Sequence, residues 1–267
     1  MKKKCISVIC CAHNEEDYVE KSVPTILKAL ESVSGEFLFV ADRCTDNTVN
    51  LVKEYEVSII EKKTKKWKNS YAEALQIGYL KAQGNYVAII DADVMVPTRL
   101  FRILLPMVHG KVASVASAVV SYPDTFWNRL LFAWEKTQNI APFGKKPYGA
   151  VRVISKRVLD KVGGFCDVLT PDTYLDIKLS KEGYKSIHVP SVSAYHIRHN
   201  SPKEIFKHQF ISGKARFELG ESLKRTLVHS LFRVRPFVLG GWLQERFIKQ
   251  YQHIRNNTST TPSAFTR

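Results

Sequence analysis

Short apolar segments alternate with segments of helical periodicity through the first third of the chain, and this alternation restricts the possible folds more than any other feature. The apolar segments are CISVICCA, EFLFVAD, VSIIEK and NYVAIIDAD. Each is short and rich in β-branched or aromatic residues, which is typical of strands buried on both faces. Strand–helix alternation of this kind predicts an α/β fold with a mostly parallel sheet flanked by helices.

The helical segments between these strands have recognisable ends. NEEDYVEKSVPTILKALES starts with acidic residues beside Asn14, which we expect to cap the helix. CTDNTVNLVKEY carries a Thr/Asp cap, and NSYAEALQIGYLKAQG is expected to close at Gly84.

Polar side chains follow three of the predicted strands at the points where those strands end. The clusters are His13-Asn14-Glu15, Asp42 with Asp46, and Asp91 with Asp93. In open α/β sheets, ligands bind beyond the carboxyl ends of the strands. Helix capping would explain Asp46 and would also suit Asn14, but no periodic helix starts directly after Asp93. The three clusters therefore predict one site at this edge of the sheet.

The Asp-x-Asp sequence at the end of VAIIDAD suggests what that site binds. Hard divalent cations such as Mg²⁺ and Mn²⁺ prefer oxygen ligands, and Mg²⁺ commonly takes one or two carboxylates together with phosphate oxygens of the substrate. A short Asp-x-Asp match is common by chance, and its place at a strand end gives it weight. The pair Asp91 and Asp93 therefore favours a site for a metal–diphosphate complex.

Several longer motifs occur in the same order and spacing as in a known family. They are ISVICCAHNEEDYVEKSV, FLFVADRCTDNT, KWKNSYAEALQIGYLKAQGNYVAIIDADV, GAVRVISKRVLDKVGGF, TPDTYLDIKLSKEGYKSIHVP and AYHIRHNSPKEIFKHQF. Together they resemble the family-2 glycosyltransferases of GT-A fold, over about residues 5 to 220. A series of motifs in order is far more specific than any one of them.

The resemblance implies an enzyme that binds a nucleotide-activated sugar, with Mg²⁺ or Mn²⁺ as cofactor, and passes the sugar to an acceptor hydroxyl with inversion. It implies that Asp172 is the catalytic base and that Asp93 and His196 hold the metal. The residues implied in nucleotide-sugar binding are Ala12, His13, Asn14, Glu15, Asp42, Lys68, Asp91 and Ala92.

Elementary chemistry supports such a division of roles. The leaving nucleoside diphosphate gains negative charge as the sugar–oxygen bond breaks, and a divalent cation with nearby basic groups stabilises that charge. The acceptor hydroxyl needs a carboxylate to take its proton, which contributes about 10²–10⁴-fold to the rate. Inversion thus needs one metal-binding acid and one separate basic acid.

The chain departs from the family pattern at several positions. Pro171 stands where Glu usually precedes the base, and Asp176, one helical turn beyond Asp172, is the alternative base. His13 replaces the usual Tyr of the first motif, and a lone histidine such as His196 is more often structural than a ligand. The Gln-x-x-Arg-Trp motif of processive synthases is absent, since QERF does not match it. A single transfer per encounter is therefore expected.

Charge and composition indicate the surroundings in which the chain works. The 40 Lys and Arg outnumber the 25 Asp and Glu, giving a net charge of +15. Such a surface favours anionic partners, here an anionic membrane. The five cysteines show no metal spacing and are expected to be reduced thiols. No stretch is apolar for long enough to span a bilayer. We therefore expect a cytoplasmic protein, peripheral at the cytoplasmic face of the membrane.

The domain organisation expected from the sequence has three parts. Residues 1–222 should form the GT-A catalytic domain, 223–255 a basic amphipathic helical tail that associates with the membrane, and 256–267 a disordered end. The aromatic residues of 123–150 recur at helical spacing and suit either core packing or a lipid interface at the acceptor side. The expected acceptor is lipid-linked or a membrane-held glycan.

Other classes of function fit less well. Nucleotidyltransferases also place metal-binding aspartates on a nucleotide-binding sheet, but they usually begin with a Gly-rich phosphate loop where this chain has AHNEE. A nucleic-acid-binding protein would show a concentrated basic stripe or a known module, whereas the basic excess here is spread along the chain. The Pro171 departure leaves a non-catalytic membrane-binding relative as a further alternative.

Overall fold

The chain divides into two units, Met1–His199 and Asn200–Arg267, in a computed structural model that describes residues 5–138, 149–198 and 201–258. The first unit carries the sheet and the second is helical. The sequence had placed the boundary after residue 222, and the structure places it before α8 (Pro202–Glu218) because that helix packs with the helices that follow it.

The described residues of the first unit form one eight-stranded sheet in the order β3-β2-β1-β4-β7-β6-β8-β5. In chain order the strands are β1 (Ile6–Ala12), β2 (Gly35–Asp42), β3 (Ser58–Lys62), β4 (Tyr86–Ile90), β5 (Val94–Met95), β6 (Val112–Ser121), β7 (Val151–Ser155) and β8 (Lys185–His196).

Six of these strands point the same way. β1 to β4 are mutually parallel, β6 and β8 are parallel to each other, and β7 and β5 run antiparallel to their neighbours. The predicted α/β class with a mostly parallel sheet is therefore confirmed. The reversed strand β7 lies between β4 and β6, and it is this insertion that the alternating pattern did not indicate.

The helices of the first unit are α1 (Glu16–Leu30), α2 (Thr48–Val52), α3 (Ser70–Lys81), α4 (Leu100–Leu104), α5 (Phe126–Gln138), α6 (Lys156–Lys161) and α7 (Pro171–Lys181), with a short 3₁₀ turn at Leu105–Met107. Alternate residues of β1 enter two separate apolar cores, Val8 on the side of α1 and Ile9 on the side of α3. The sheet is thus covered on both faces, and its polar clusters lie at its edge.

The second unit consists of α8, α9 (Leu223–Phe232) and α10 (Pro236–Thr258). Two glycines bring α8 and α10 together: a Cβ on Gly213 would lie 2.0 Å from the carbonyl oxygen of Val238, and a Cβ on Gly241 would lie 2.0 Å from that of Phe210. Trp242 is buried in this unit, where it stacks edge-on with Phe217 at 5.2 Å and donates to the carbonyl of Glu221.

Local details differ from the sequence expectations at three places. Helix α1 is capped at Glu15 without a side-chain hydrogen bond, because the Asn14 side chain instead bonds to Thr45. Helix α3 ends at Lys81, and Gly84 lies where a Cβ would meet the β1 backbone at 2.6 Å. Helix α10 continues to Thr258, three residues into the stretch expected to be disordered, and 259–267 lie outside the described residues.

Two more general expectations can be compared with the structure. All five cysteines are unpaired, as predicted. No helix in the described part of the chain combines the length and the apolar character that a bilayer span requires.

Candidate active site

A tight turn at the end of β4 presents Asp91 and Asp93. The backbone N–H of Val94 donates to the carbonyl of Asp91 at 3.1 Å, which closes the turn. The carbonyl of the buried Ala92 accepts a 2.5 Å hydrogen bond from Ser22 on α1. The turn is therefore fixed from both sides, and the predicted donor-site residue Ala92 acts in it as a backbone anchor.

The short antiparallel pair of β5 and β8 brings His196 to these acids. Val94 pairs with His196, and the N–H of Ile197 donates to the carbonyl of Asp93 at 3.0 Å. One ligand atom from each of Asp91, Asp93 and His196 lies within 4.8 Å of the others. Residues about a hundred positions apart in the chain thus meet at the strand ends, as the sequence predicted.

Burial and charge act in opposite directions on the two aspartates. Burial, followed by the negative charge of Asp93, raises the pKa of Asp91 to about 6. Burial alone would also raise the pKa of Asp93, but His196 and Arg198 outweigh it and lower that pKa to about 2. Burial opposes protonation of His196, and the nearby Asp93 and Asp91 nevertheless raise its pKa. The pKa values of Asp91 and Asp93 are therefore displaced in opposite directions.

The donor set fits Mg²⁺ or Mn²⁺. Two carboxylates supply oxygen ligands, and the Nδ1 atom of His196 is buried without a hydrogen bond, 3.3 Å from Oδ2 of Asp93. Its contact with Asp93 does not have hydrogen-bond geometry, and a buried polar atom that makes no hydrogen bond with the described residues is costly unless a ligand satisfies it. The phenol of Tyr71 donates to Oδ1 of Asp91 at 2.8 Å, which orients that carboxylate as supporting hydrogen bonds do in metal sites.

Arg198 links this cluster to the end of β1. Its Nε donates to Oδ2 of Asp93 at 2.7 Å, and its Nη2 contacts both carboxylate oxygens of Glu15 at 2.5 and 2.6 Å. The guanidinium carbon lies 5.0 Å from the centre of the Tyr18 ring. The partners raise the pKa of Arg198 despite its burial, so it carries a permanent positive charge in the site.

The ends of β1 and β2 form the other side of the predicted nucleotide pocket. Nδ1 of the exposed His13 donates to the carbonyl of Asp42 at 2.6 Å. The carboxylate of Asp42 accepts from Lys62 at 2.7 Å, from Arg43 at 2.8 Å and from Ser70 at 2.5 Å. Burial works against ionisation, and these donors still lower the pKa of Asp42. Asp42 is thus the counter-ion of the buried Lys62, a role that the sequence did not suggest.

Asp42 ends β2, and Ala12, His13, Asn14 and Glu15 lie at and after the end of β1, so the residues predicted to bind the nucleotide are neighbours at one edge of the sheet. Asn14 is held with a positive φ of 57° and bonds to Thr45, so that it joins the β1 loop to the β2 loop.

Lys68 lies on a loop whose backbone is fixed and whose side chain is exposed. Its N–H donates to Asp167 at 2.9 Å, and the N–H of Asn69 donates to the same carboxylate at 2.8 Å. The Asn69 side chain caps α3 and donates to the carbonyl of Val168. These bonds tie the loop before α3 to the loop before α7, which carries the predicted base.

Asp172, at the start of α7, lies close to the metal-binding cluster. A Cβ on Gly149 would be 2.9 Å from Oδ2 of Asp172, and the neighbouring Ala150 accepts a 3.0 Å hydrogen bond from the N–H of Asp91. Asp172 also raises the pKa of Asp91 and of Tyr71, in each case as a smaller contribution than burial. The predicted base is therefore within electrostatic range of Asp91.

The alternative base, Asp176, has a different environment. Its carboxylate forms an ion pair with Arg152, whose side chain is fully buried on β7. Arg152 also donates to the backbone carbonyl of Asp172 at 3.2 Å. Burial raises the pKa of Asp176 even though Arg152 opposes this. Asp176 is thus the counter-ion of a buried cation, whereas the carboxylate of Asp172 forms no ion pair with any described residue.

The sequence profile of the family described as glycosyl transferase family 2 matches residues 7–161, more than half of the chain. This match includes the β1 loop, Asp42, Lys68 and both aspartates of the β4 turn. The chain belongs to glycosyl transferase family 2.

Two curated relatives of this family 2 chain illustrate how far the similarity extends. A beta-monoglucosyldiacylglycerol synthase of Nostoc sp. (strain PCC 7120 / SAG 25.82 / UTEX 2576) is 24% identical over 191 residues, covering 65% of this chain and 41% of the relative. An uncharacterized glycosyltransferase of Haemophilus influenzae is 33% identical over 93 residues, covering 33% of this chain and 28% of the relative. The chain thus spans less than half the length of these relatives.

Solved structures confirm that the fold is the GT-A fold. The mannosyltransferase PcManGT from Pyrobaculum calidifontis, in complex with GDP-Man and Mn²⁺, has a TM-score of 0.62 at 19% identity, covering 91% of this chain and 70% of that one. Glucosyl-3-phosphoglycerate synthase from Mycobacterium tuberculosis, with Mn²⁺, UDP and phosphoglyceric acid, has a TM-score of 0.60 at 18% identity, covering 81% and 77%.

Three contributors to the site were not assigned from the sequence of this family 2 chain. No role was predicted for Arg198, although it lies two residues after His196 in the AYHIRHNSPKEIFKHQF motif. Tyr71 and Arg152 gave no signal, since an aromatic at a helix start and an arginine in an apolar strand occur in many proteins. Their roles depend on which side chains the folded sheet places opposite them.

Helix α5 follows β6, beside the site. Its Glu135 accepts from the N–H of Ser121 at 2.7 Å, and Ser121 pairs with His196 across β6 and β8. Phe126, Trp127 and Leu130 on this helix are exposed, at 77, 41 and 48%. The sequence had suggested either core packing or a lipid interface for this segment. The exposure of these three side chains shows that they are not part of the core. Residues 139–148 of the same predicted acceptor region lie outside the described residues.

Proposed function

We propose that this family 2 chain is an inverting, metal-dependent hexosyltransferase that moves one sugar per encounter from a nucleotide-sugar donor to an acceptor hydroxyl. The observation that carries the proposal is the cluster of Asp91, Asp93 and His196 at the strand ends. Asp172 acts electrostatically on Asp91 and has no ion-pair partner among the described residues. An acid pair for a cation and a separate acid for a proton are the two parts that inversion requires.

The donor would be bound along the edge formed by β1, β2 and β4. Asp93 and His196 would hold Mg²⁺ or Mn²⁺, with Asp91 beside them, and the imidazole ligand favours Mn²⁺ because Mg²⁺ prefers oxygen ligands. The bound cation supplies electrostatic stabilisation of the leaving diphosphate. The similar mannosyltransferase is in complex with GDP-Man and Mn²⁺, and the similar synthase is in complex with Mn²⁺ and UDP, which supports a metal–diphosphate ligand for this chain.

Asp172 would take the proton from the acceptor hydroxyl. Gly149 packs directly against the carboxylate of Asp172, where a Cβ would lie 2.9 Å from Oδ2, so the base is held close to the backbone that precedes β7. Arg152 donates to the backbone carbonyl of Asp172 and neutralises Asp176. The start of α7 is therefore fixed without an ion pair between Arg152 and the carboxylate of the base. The acceptor then attacks the sugar from the face opposite the diphosphate.

We further propose that the acceptor is lipid-linked or a membrane-held glycan and that the enzyme works at the cytoplasmic face of the membrane. One relative is named for the synthesis of a glucosylated diacylglycerol, and the net charge of +15 favours an anionic surface. The exposed aromatic residues of α5 lie beside the site, where the apolar part of such an acceptor would be.

Helix α9 is the part of the second unit that suits contact with lipid. Leu227, Leu231, Phe232 and Val234 are exposed on it and on the turn that follows, the last three at 67, 61 and 68%. Residues 223–235 contain Lys224, Arg225, Arg233 and Arg235 and no acidic residue. A helix with exposed apolar side chains and flanking basic ones docks on anionic lipid. Within the tail proposed from the sequence, we take α9 as the helix that docks; α10 packs on α8 and also exposes Phe247 and Tyr251.

The proposal is tested by a panel of nucleotide sugars with the full chain. We expect binding and slow hydrolysis of one donor, both dependent on Mn²⁺ or Mg²⁺ and both abolished by EDTA. Donor binding that is indifferent to EDTA would reject the metal-dependent mechanism. Release of pyrophosphate from a sugar phosphate and a nucleoside triphosphate would favour a nucleotidyltransferase instead.

A further inference from the structure

The guanidinium of Arg198 bridges two carboxylates from different strand ends. It donates to Oδ2 of Asp93 at 2.7 Å and to both oxygens of Glu15 at 2.5 and 2.6 Å. The two carboxylate side chains are 7 and 14% exposed, whereas that of Arg198 is 35% exposed. The acids are therefore fixed in the site, and the arginine reaches them from its open side.

Arg198 differs from the other arginine of the site, Arg152, in its exposure to solvent. Arg152 is fully buried and pairs with Asp176 on α7. Movement of its guanidinium away from Asp176 would leave a buried charge without a counter-ion. Arg198 lies over the ring of Tyr18 at 5.0 Å and keeps a third of its side chain in solvent. Its guanidinium can therefore move to another anion at the mouth of the site, and this movement costs little additional desolvation of the guanidinium.

The carboxylate that Arg198 contacts is also the predicted metal ligand. Oδ2 of Asp93 lies 2.7 Å from Nε of Arg198 and 3.3 Å from Nδ1 of His196. A divalent cation held by Asp93 and His196 would use lone pairs of this carboxylate and would repel the nearby guanidinium. A nucleoside diphosphate arriving with the cation brings negative oxygens, and a planar guanidinium binds such oxygens in pairs.

We propose that Arg198 exchanges partners during donor binding: it neutralises Asp93 and Glu15 in the free protein and donates to the diphosphate once a cation takes Asp93. This inference deepens the proposed function and rests on it. Arg198 would then compete with the bare cation for Asp93 and assist the cation–diphosphate complex. Arg198 would thus weaken binding of the bare cation and strengthen binding of the cation–diphosphate complex. An arginine that only held Asp93 in place would not affect the two ligands in opposite directions.

The experiment measures two affinities in the full chain by isothermal titration, that of Mn²⁺ alone and that of GDP or UDP at saturating Mn²⁺. Arg198→Gln should bind Mn²⁺ alone about threefold or more tightly, since a competing positive charge is removed. It should bind the nucleoside diphosphate about tenfold or more weakly, since charge-assisted hydrogen bonds are lost. Arg198→Lys keeps the positive charge but lacks the paired N–H donors of a guanidinium. It should weaken only the binding of the nucleoside diphosphate.

Two further variants keep the result interpretable. Glu15→Gln combined with Arg198→Gln removes one charge of each sign, guards against misfolding and should still shift the two affinities in opposite directions. Arg157→Gln, at an exposed arginine at the start of α6, should change neither.

The other possible results distinguish failure of the partner exchange of Arg198 from failure of the proposed glycosyltransferase function. If Arg198→Gln weakens both affinities alike, Arg198 merely holds Asp93 in place and the exchange is wrong. An unchanged nucleoside diphosphate affinity overturns the exchange as well. If the unmodified chain binds neither Mn²⁺ nor a nucleoside diphosphate, the proposed function itself fails.

Discussion

The fully buried guanidinium of Arg152 forms an ion pair with Asp176, one helical turn beyond Asp172 on α7. This pair compensates the charge of Asp176, whereas the carboxylate of Asp172 has no ion-pair partner in the described part of the chain. Two aspartates that look equivalent in the sequence are therefore expected to respond differently to the same substitution.

Asp172→Asn should retain the fold and donor binding while sugar transfer falls by about 10²-fold or more, because the acceptor proton has no base. Asp176→Asn should instead lower the free energy of unfolding by about 3–5 kcal/mol, since it leaves the buried Arg152 without a counter-charge. Transfer assays, donor titration and urea unfolding of both variants check this. A folded Asp176→Asn protein that binds donor but does not transfer would make Asp176 the base.

Substitution of Asp93 by Ala should abolish Mn²⁺-dependent binding of a nucleoside diphosphate, because the cation loses the carboxylate that lies between His196 and Arg198. Thermal unfolding should show that the protein still folds. The matched control is Asp17→Asn, at an exposed acid of the first turn of α1, which should bind like the unmodified chain. Unchanged Mn²⁺-dependent binding by the Asp93 variant would remove Asp93 from the metal site.

The raised pKa of Asp91 predicts how stability depends on pH when divalent cations are chelated. Burial and Asp93 raise that pKa from 3.8 to about 6, so the folded chain holds the proton more tightly than the unfolded chain. The resulting stabilisation is complete below pH 3.8 and is lost as the pH rises through 6. The lowered pKa of Asp93, about 2, adds no change in this window.

Asp91→Asn keeps an acceptor for Tyr71 and removes the titration. From pH 5 to pH 7.5 in EDTA, the free energy of unfolding of the unmodified chain should fall relative to this variant by on the order of 1 kcal/mol. Urea titrations at the two pH values measure the difference. A difference that stays constant would mean that Asp91 is already ionised at pH 5.

The contact of α9 with lipid can be tested by a single charge. Leu231→Glu should lower co-sedimentation with anionic vesicles by about tenfold or more, since it removes apolar burial and places a carboxylate at the interface. Leu80→Glu is the matched control, because Leu80 on α3 is 69% exposed and Leu231 is 67% exposed. Binding of the unmodified chain should weaken with salt but persist, because the apolar contribution is not screened.

If Leu231→Glu sediments like the unmodified chain, α9 is not the docking surface. Trp127→Glu then tests the exposed face of α5. Point variants are preferable here to a truncation at residue 222, which would uncover the face of α8 that α10 covers.

The close approach of α8 and α10 predicts different effects for two adjacent glycines. Gly241→Ala should lower the free energy of unfolding by about 1–3 kcal/mol, because its Cβ would meet the carbonyl of Phe210 at 2.0 Å. Gly240→Ala should be neutral or stabilising, since its Cβ would meet only the Phe210 ring, at 3.5 Å, and alanine favours helix. Thermal unfolding of the two variants measures this, and equal effects would contradict the helix packing.

The sequence by itself determined the strand–helix alternation, the α/β class and the edge of the sheet at which a site would form. It did so because strand burial and helix periodicity are local patterns, and because the ends of parallel strands necessarily meet. Asp91 and Asp93 could be paired with a cation on these grounds alone. Their partner His196 came only from the ordered motifs, since nothing local to it points to Asp93.

Only the tertiary structure decided how the charges of the site are divided. Which acid faces Arg152, and which carboxylates Arg198 bridges, depends on strand register and on the insertion of β7 between β4 and β6. In the same way, the packing of α10 on α8 depends on the close backbone approach at Gly213 and Gly241. These are contacts between residues far apart in the chain, so no local pattern encodes them.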